Sequence, residues 1–139
     1  MSTPFEQQYE DVLQNIEFAI VSTYREQPEE ISDWSVETAL DALVRAYGAE
    51  QTGRTLRPAR LSEAEQAIYD RVKAMCEWRL GREQVQTEGE DGAAILQEME
   101  PKTLEEILAC LKRVRTSVKR WHKSGGRRGY LDFVSAYIR

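Results

Sequence analysis

Four stretches of this chain carry apolar residues at alternating spacings of three and four, and three of them open on a helix-capping signal. In the last of the four, Leu104, Ile107, Leu111, Val114, Val118 and Trp121 form one stripe on a 3.6-residue helix. Thr103 and Glu106 precede it as the two partners of a capping box. In the third, Ser62 and Glu65 make the same box, and Leu61 is set to staple the entry. Its inward row is Ile68, Val72, Met75, Cys76 and Leu80, with Gly81 as the C-terminal cap. In the first, Thr3 caps, Pro4 suits the opening helical position and Glu6 completes a box. Phe5, Tyr9, Val12, Leu13, Ile16, Ile20 and Tyr24 then share a face, until Pro28 stops the helix.

The second stretch starts at Ser32 or Asp33, carries Val36, Ala39, Leu40, Leu43, Val44 and Tyr47, and fades at Gly48 or Gly53. Gly125 and Gly126 end the fourth helix. Tyr130, Leu131, Phe133, Val134, Tyr137 and Ile138 make a short final one. No segment shows the period-two alternation of a half-buried strand. The expected fold is therefore all-α, a compact bundle of four to six helices with a short C-terminal helix. The seam in the fourth helix is too short for a coiled coil and reads as a contact between two helices of the bundle. Residues 1–139 are expected to form a single helical domain, with an acidic connection, 82–102, inside it. Within that connection only Ala93 to Met99 has a helical pattern.

Charge is divided sharply along the chain. From Lys112 onward nine basic residues accompany one acidic residue, Asp132, for a local charge of +8. Residues 1–111 then carry −13 of the total of −5. Such a split has two readings: an anionic partner for the basic end, 112–139, or two opposed fields that face one another in the fold. No apolar run approaches the length of a membrane span, and the first residues lack the pattern of a secretory signal. No membrane partner is expected, and the two separated cysteines, Cys76 and Cys110, fit a cytoplasmic protein with buried thiols.

The stretch from Ser124 to Tyr130 looks the most chemical. Its glycines free backbone amides, the following helix offers a positive N-terminus, and Arg127 and Arg128 supply forked donors for phosphate or carboxylate. Lys119, Arg120, Lys123, Gly126, Arg127 and Arg128 are the candidate anion- or nucleic-acid-binding residues, with Trp121 and Tyr130 as stacking rings. The same residues also suit a plain helix end, where glycine caps and cations complement the dipole. On that reading Trp121 belongs to the core.

Arg115 and the single histidine, His122, lie seven residues apart and share a helix face. This Arg-x6-His spacing resembles the motif of the HEPN family of small α-helical ribonucleases, over one helix only, and Thr116 stands where that family has a polar Asn, Asp or His. The resemblance implies Arg115 and His122 as catalytic residues, meeting their counterparts across a dimer. Arg115 would then stabilise phosphate charge and His122 would organise proton transfer. No other enzyme motif is present. Lone-histidine chemistry excludes a di-iron bundle, which needs two Glu-x-x-His pairs. Glu63, Asp70 and Glu77 recur every seven residues and could align with Glu6, Glu10 or Glu17, yet they read as solvated faces. No metal and no cofactor are expected.

The leading functional expectation is a non-catalytic module that binds a protein partner or itself, as a homodimer. Its basis is apolar surface beyond the main stripes: Phe18, Ala19 and Val21 on the first helix, Tyr69 and Trp78 on the third, and aromatics around the last. The rival expectations are nucleic-acid or phosphate-ligand binding through the basic end and a HEPN-like ribonuclease.

Overall fold

The computed structural model describes residues 4–82, 100–124 and 129–138. Among them are five helices: α1 (Pro4–Glu26), α2 (Asp33–Thr52), α3 (Glu63–Arg79), α4 (Leu104–Lys123) and α5 (Tyr130–Tyr137). The all-helical expectation is met. Thr3, the segment Ala93 to Met99 with most of the acidic connection, and Gly125 to Arg128 lie outside the described residues.

The capping signals do what their chemistry predicts. Ser62 accepts from the Glu65 amide at 3.2 Å while the Glu65 carboxylate accepts from the Ser62 amide at 2.9 Å. Thr103 and Glu106 form the same reciprocal pair. At α2 the cap is Ser32, and its partner is the Ser35 hydroxyl. Two helices end where the chain turns left-handed on glycine. Gly53 sits at φ 70°, with the Arg54 amide returning to the Ala49 carbonyl at 2.8 Å. Gly81 sits at φ 76°, with Arg82 returning to Glu77 at 2.9 Å. Both are Schellman closures, which a side chain with a Cβ resists.

The four long helices form a ring in which chain neighbours are not always spatial neighbours. α1 packs on α3 and α4, and α2 packs on α3 and α4, so α1 lies diagonally opposite α2. α5 closes over the edge between α1 and α4. The core is contributed by every helix, with Ile16, Ile20, Leu40, Leu43, Ile68, Val72, Ile107, Leu111 and Val118 all buried. The predicted inward rows are these residues and their neighbours.

Two sequence expectations about surface fail here. Ala19 and Val21, read as lying outside the stripe of α1, are 2% and 1% exposed. The reason is that α1 has neighbours on three sides, α3, α4 and α5, so its buried surface is wider than one stripe. Tyr69 and Trp78 are half-buried, and Tyr69 packs against the core. Phe18, Phe133 and Tyr137 do remain exposed.

Candidate functional site

Helix α4 meets opposed charge on two sides. Along α2, Glu37 and Asp41 stand one turn apart and receive three of its basic side chains. The His122 Nδ1 lies 2.8 Å from Glu37 Oε2. Lys119 Nζ and Arg115 Nη1 lie 3.4 and 3.6 Å from the same Asp41 oxygen. The ring of Trp34, one turn before Glu37, meets the His122 ring edge-on at a centroid distance of 4.1 Å. Facing α1, Arg113 pairs with Glu6. Three of the six described cations of the basic end, Arg113, Arg115 and Lys119, are thus met by carboxylates inside the fold.

The sequence candidates separate accordingly. Arg115 and His122 do share a face of α4, and that face is turned to carboxylates of α2 rather than left bare. His122 Nε2 has no hydrogen bond among the described residues, so the Glu37 contact orients the ring and leaves one nitrogen unclaimed. Lys119 has an ion partner. Arg120 and Lys123 are exposed without one among the described residues, as is Lys112. Gly126, Arg127 and Arg128 lie outside the described residues. Tyr130, read as a stacking ring, is 1% exposed and belongs to the core. Trp121 is half-buried and stacks on Phe133 at 4.6 Å.

Helix α5 is held at both ends by side chains of other helices. The Asp33 carboxylate takes the amides of Tyr130 and Leu131, so the positive N-terminus proposed for an external anion already has an internal one. Arg25 donates to the carbonyls of Ile138 at 3.2 Å and Ser135 at 3.5 Å, a cation at the negative end. The Tyr130 hydroxyl donates to Glu17 Oε2 at 3.0 Å. Burial pushes the Glu17 carboxyl above its ordinary range, more than the Tyr130 hydrogen bond pulls it down. Burial and the adjacent Glu17 hold the Tyr130 phenol well above its own.

With α5 anchored this way, a groove runs between α1, α4 and α5. Its cavity is about 240 Å³. Phe133 and Tyr137 stand at its rim with parallel rings 6.5 Å apart, and Trp121 extends the run behind Phe133. Phe18 adjoins Tyr137 and Ile138 around a neighbouring hollow of about 440 Å³. Glu6, Glu10 and Glu17 line the α1 side, and Arg113 and Ser117 the α4 side.

A second charged cluster is structural. Arg79 is 4% exposed and donates to Asp11 at 2.8 Å and Asn15 at 2.8 Å, tying α3 to α1. Glu63 and Asp70 are exposed, while Glu77 accepts from the Tyr47 hydroxyl at 2.9 Å. No group of three or more His, Cys, Asp or Glu side chains among the described residues is arranged to hold a metal ion. No helix among them is long and apolar enough to cross a membrane.

Sequence reasoning missed Glu17, Asp33 and Glu37 as partners. Glu17 had a signal, since it follows Leu13 by one turn and flanks the inward row. Asp33 reads only as one of two candidate starts of the second helix. Comparison with protein-family models, with curated proteins and with solved structures finds no match to this chain. The Arg-x6-His spacing therefore rests on its own residues.

Proposed function

We propose that this chain is a non-catalytic protein-interaction module that self-associates through the face built by α1, α4 and α5. The observation that carries this reading is the aromatic run Trp121, Phe133 and Tyr137 with Phe18 beside it, three of them 43%, 61% and 52% exposed in the order Phe133, Tyr137, Phe18. Large rings grouped on one face, flanked by charge, have the composition of an interface rather than of scattered surface residues. Charge complementarity favours a second copy as the occupant. Glu10 borders the rings on the α1 side. Arg120 continues the row of α4 that carries Arg113 and Ser117 along the other side. A two-fold axis through the rings would lay the acidic edge of one copy on the basic edge of the other.

Light scattering over a concentration series tests this. The expected mass is twice the 16.0 kDa of the chain. Phe133→Ser with Tyr137→Ser is expected to return a monomer with unchanged helical content. A strict monomer at high concentration, or a dimer indifferent to the double substitution, overturns the reading.

A second reading, in the nucleic-acid class, is supported by Lys112, Arg120 and Lys123, exposed cations without an ion partner among the described residues. The Glu37-held His122 beside them supports a HEPN-like ribonuclease within that class. Titration with short RNA over a salt series is expected to show binding that weakens steeply with salt. Cleavage lost in His122→Ala would support the nuclease. Intact RNA and no binding at low salt reject both.

A further inference from the structure

We propose that the groove between α1, α4 and α5 is a binding site for a primary ammonium group carried on a short alkyl chain. The cavity, about 240 Å³, falls below the roughly 300–1,000 Å³ of pockets that enclose drug-sized ligands and has room for a group the size of one long side chain. Leu13 and Val114 give it apolar wall, and Tyr130, Phe133 and Tyr137 give it rings. Two carboxylates face the same space, Glu10 and Glu17.

The charge state of the groove selects the ligand. Among the described residues the one cation in its lining, Arg113, is engaged with Glu6. Glu17 has only a neutral hydroxyl for a partner: Oε2 accepts from Tyr130, and Oε1 accepts no hydrogen bond among the described residues. A desolvated carboxylate with only a neutral donor is stabilised by a positive one. The Tyr137 and Phe133 rings at the rim add attraction for a cation over a ring face. An anion would meet Glu10 and Glu17 together. A neutral apolar molecule would bury the free oxygen of Glu17 without a partner. A divalent ion needs six or more oxygens close around it, and no such cluster is present among the described residues. An ammonium with an aliphatic tail satisfies the carboxylate, the rings and the apolar wall at once.

The ammonium has two sources, a free alkylamine or a lysine side chain of another protein, and the test distinguishes them. The isotopically labelled full chain is titrated by NMR with n-butylammonium chloride and, separately, with N-acetyl-lysine methylamide, with sodium butyrate as the anionic control. The expected result is saturable shift changes confined to amides around Glu17, Ser117 and Tyr137, absent with butyrate. Glu17→Gln is expected to weaken binding roughly tenfold or more, the worth of a charged hydrogen bond. Tyr137→Ala, at an exposed rim position, is expected to weaken it about two- to fivefold and serves if the first variant folds poorly. Stronger binding of the lysine derivative assigns the site to a partner's side chain, and stronger binding of butylammonium assigns it to a free amine. Non-saturable shifts, shifts elsewhere, or equal affinity in Glu17→Gln and Tyr137→Ala overturn the proposal. Run at a concentration where light scattering gives a monomer, failure here leaves self-association untouched.

Discussion

The carboxylate of Asp33, the first residue of α2, accepts the backbone amide of Tyr130 at 2.9 Å, although the two residues are 97 positions apart. The same group takes the Leu131 amide at 3.2 Å, so α5 is capped by another helix and not by its own sequence. Gly129, its formal cap residue, has no side chain to do so.

Removing that cap should loosen α5 without unfolding the ring of long helices. Asp33→Ala is expected to cost about 1–2 kcal/mol and Asp33→Asn less, because Asn caps nearly as well. Gly129→Ala acts in the same direction, since a Cβ there would come 2.7 Å from Asp33 Oδ2. Urea unfolding measures the cost, and limited proteolysis should show α5 as the region released. Stability equal to that of the unaltered chain in Asp33→Ala contradicts the capping role.

Arg79 and Asp11 should respond unequally. The guanidinium is buried and its Nε has no partner among the described residues, whereas the Asp11 side chain is 50% exposed. Replacing Arg79 by Met removes a costly buried charge and frees a carboxylate that water can take back, so the effect should be small or favourable. Asp11→Ala leaves the guanidinium with Asn15 alone and should be the more destabilising of the two, by about 1–3 kcal/mol. Burial raises the Asp11 carboxyl but the Arg79 hydrogen bond and charge outweigh it, holding it below its ordinary value. That contribution is present above the unfolded carboxylate range and is lost as pH falls through the folded value. Chemical denaturation between neutral and strongly acid pH should show this loss in the unaltered chain and less of it in Asp11→Asn.

Alkali should unfold the protein through groups that burial keeps neutral. Burial pushes the Cys110 thiol up to about 12, and burial with the neighbouring Cys110 raises Cys76 further still. Tyr47 and Tyr130 are raised by burial and by their carboxylate partners. Each raised group contributes stability that is whole below its unfolded value and is lost as pH rises toward the folded one. Stability should therefore decline from about pH 8.5, where unfolded thiols begin to ionise, and steepen near 10. A thiol reagent at pH 8 should label Cys76 and Cys110 only at the rate at which the chain opens. Rapid labelling of the native protein would refute the burial argument.

The pair His122 and Glu37 is shielded more than its neighbours, at 26% and 17% side-chain exposure. A double-mutant cycle with His122→Ala and Glu37→Ala is expected to return a coupling of about 0.5–1.5 kcal/mol. The Lys119–Asp41 pair, 39% and 37% exposed, should return under about 0.5 kcal/mol. A cycle giving the reverse order would show that geometry, not shielding, sets these energies.

Much of the candidate site was legible in part. Phe133 and Tyr137 stood out as aromatics around the last helix, and the basic row of α4 was plain from its residues. Their partners were not legible: nothing near Glu17 in the chain points to Tyr130, and nothing near Glu37 points to His122. Ala19, Val21 and Tyr130 were misjudged for the same reason. Their exposure depends on how many neighbours a helix acquires.

What the sequence determined by itself is the set of helices, their caps and the apolar rows. These depend on spacings of three and four and on side chains within a turn of their own backbone. Tertiary structure decided the ring order, with α1 diagonal to α2, and the capping of α5 by Asp33 and Arg25. It also decided how the opposed charges are used. Arg113, Arg115, Lys119 and His122 are met by carboxylates of α1 and α2, because packing registers fixed by the whole core set which charged side chains come within reach.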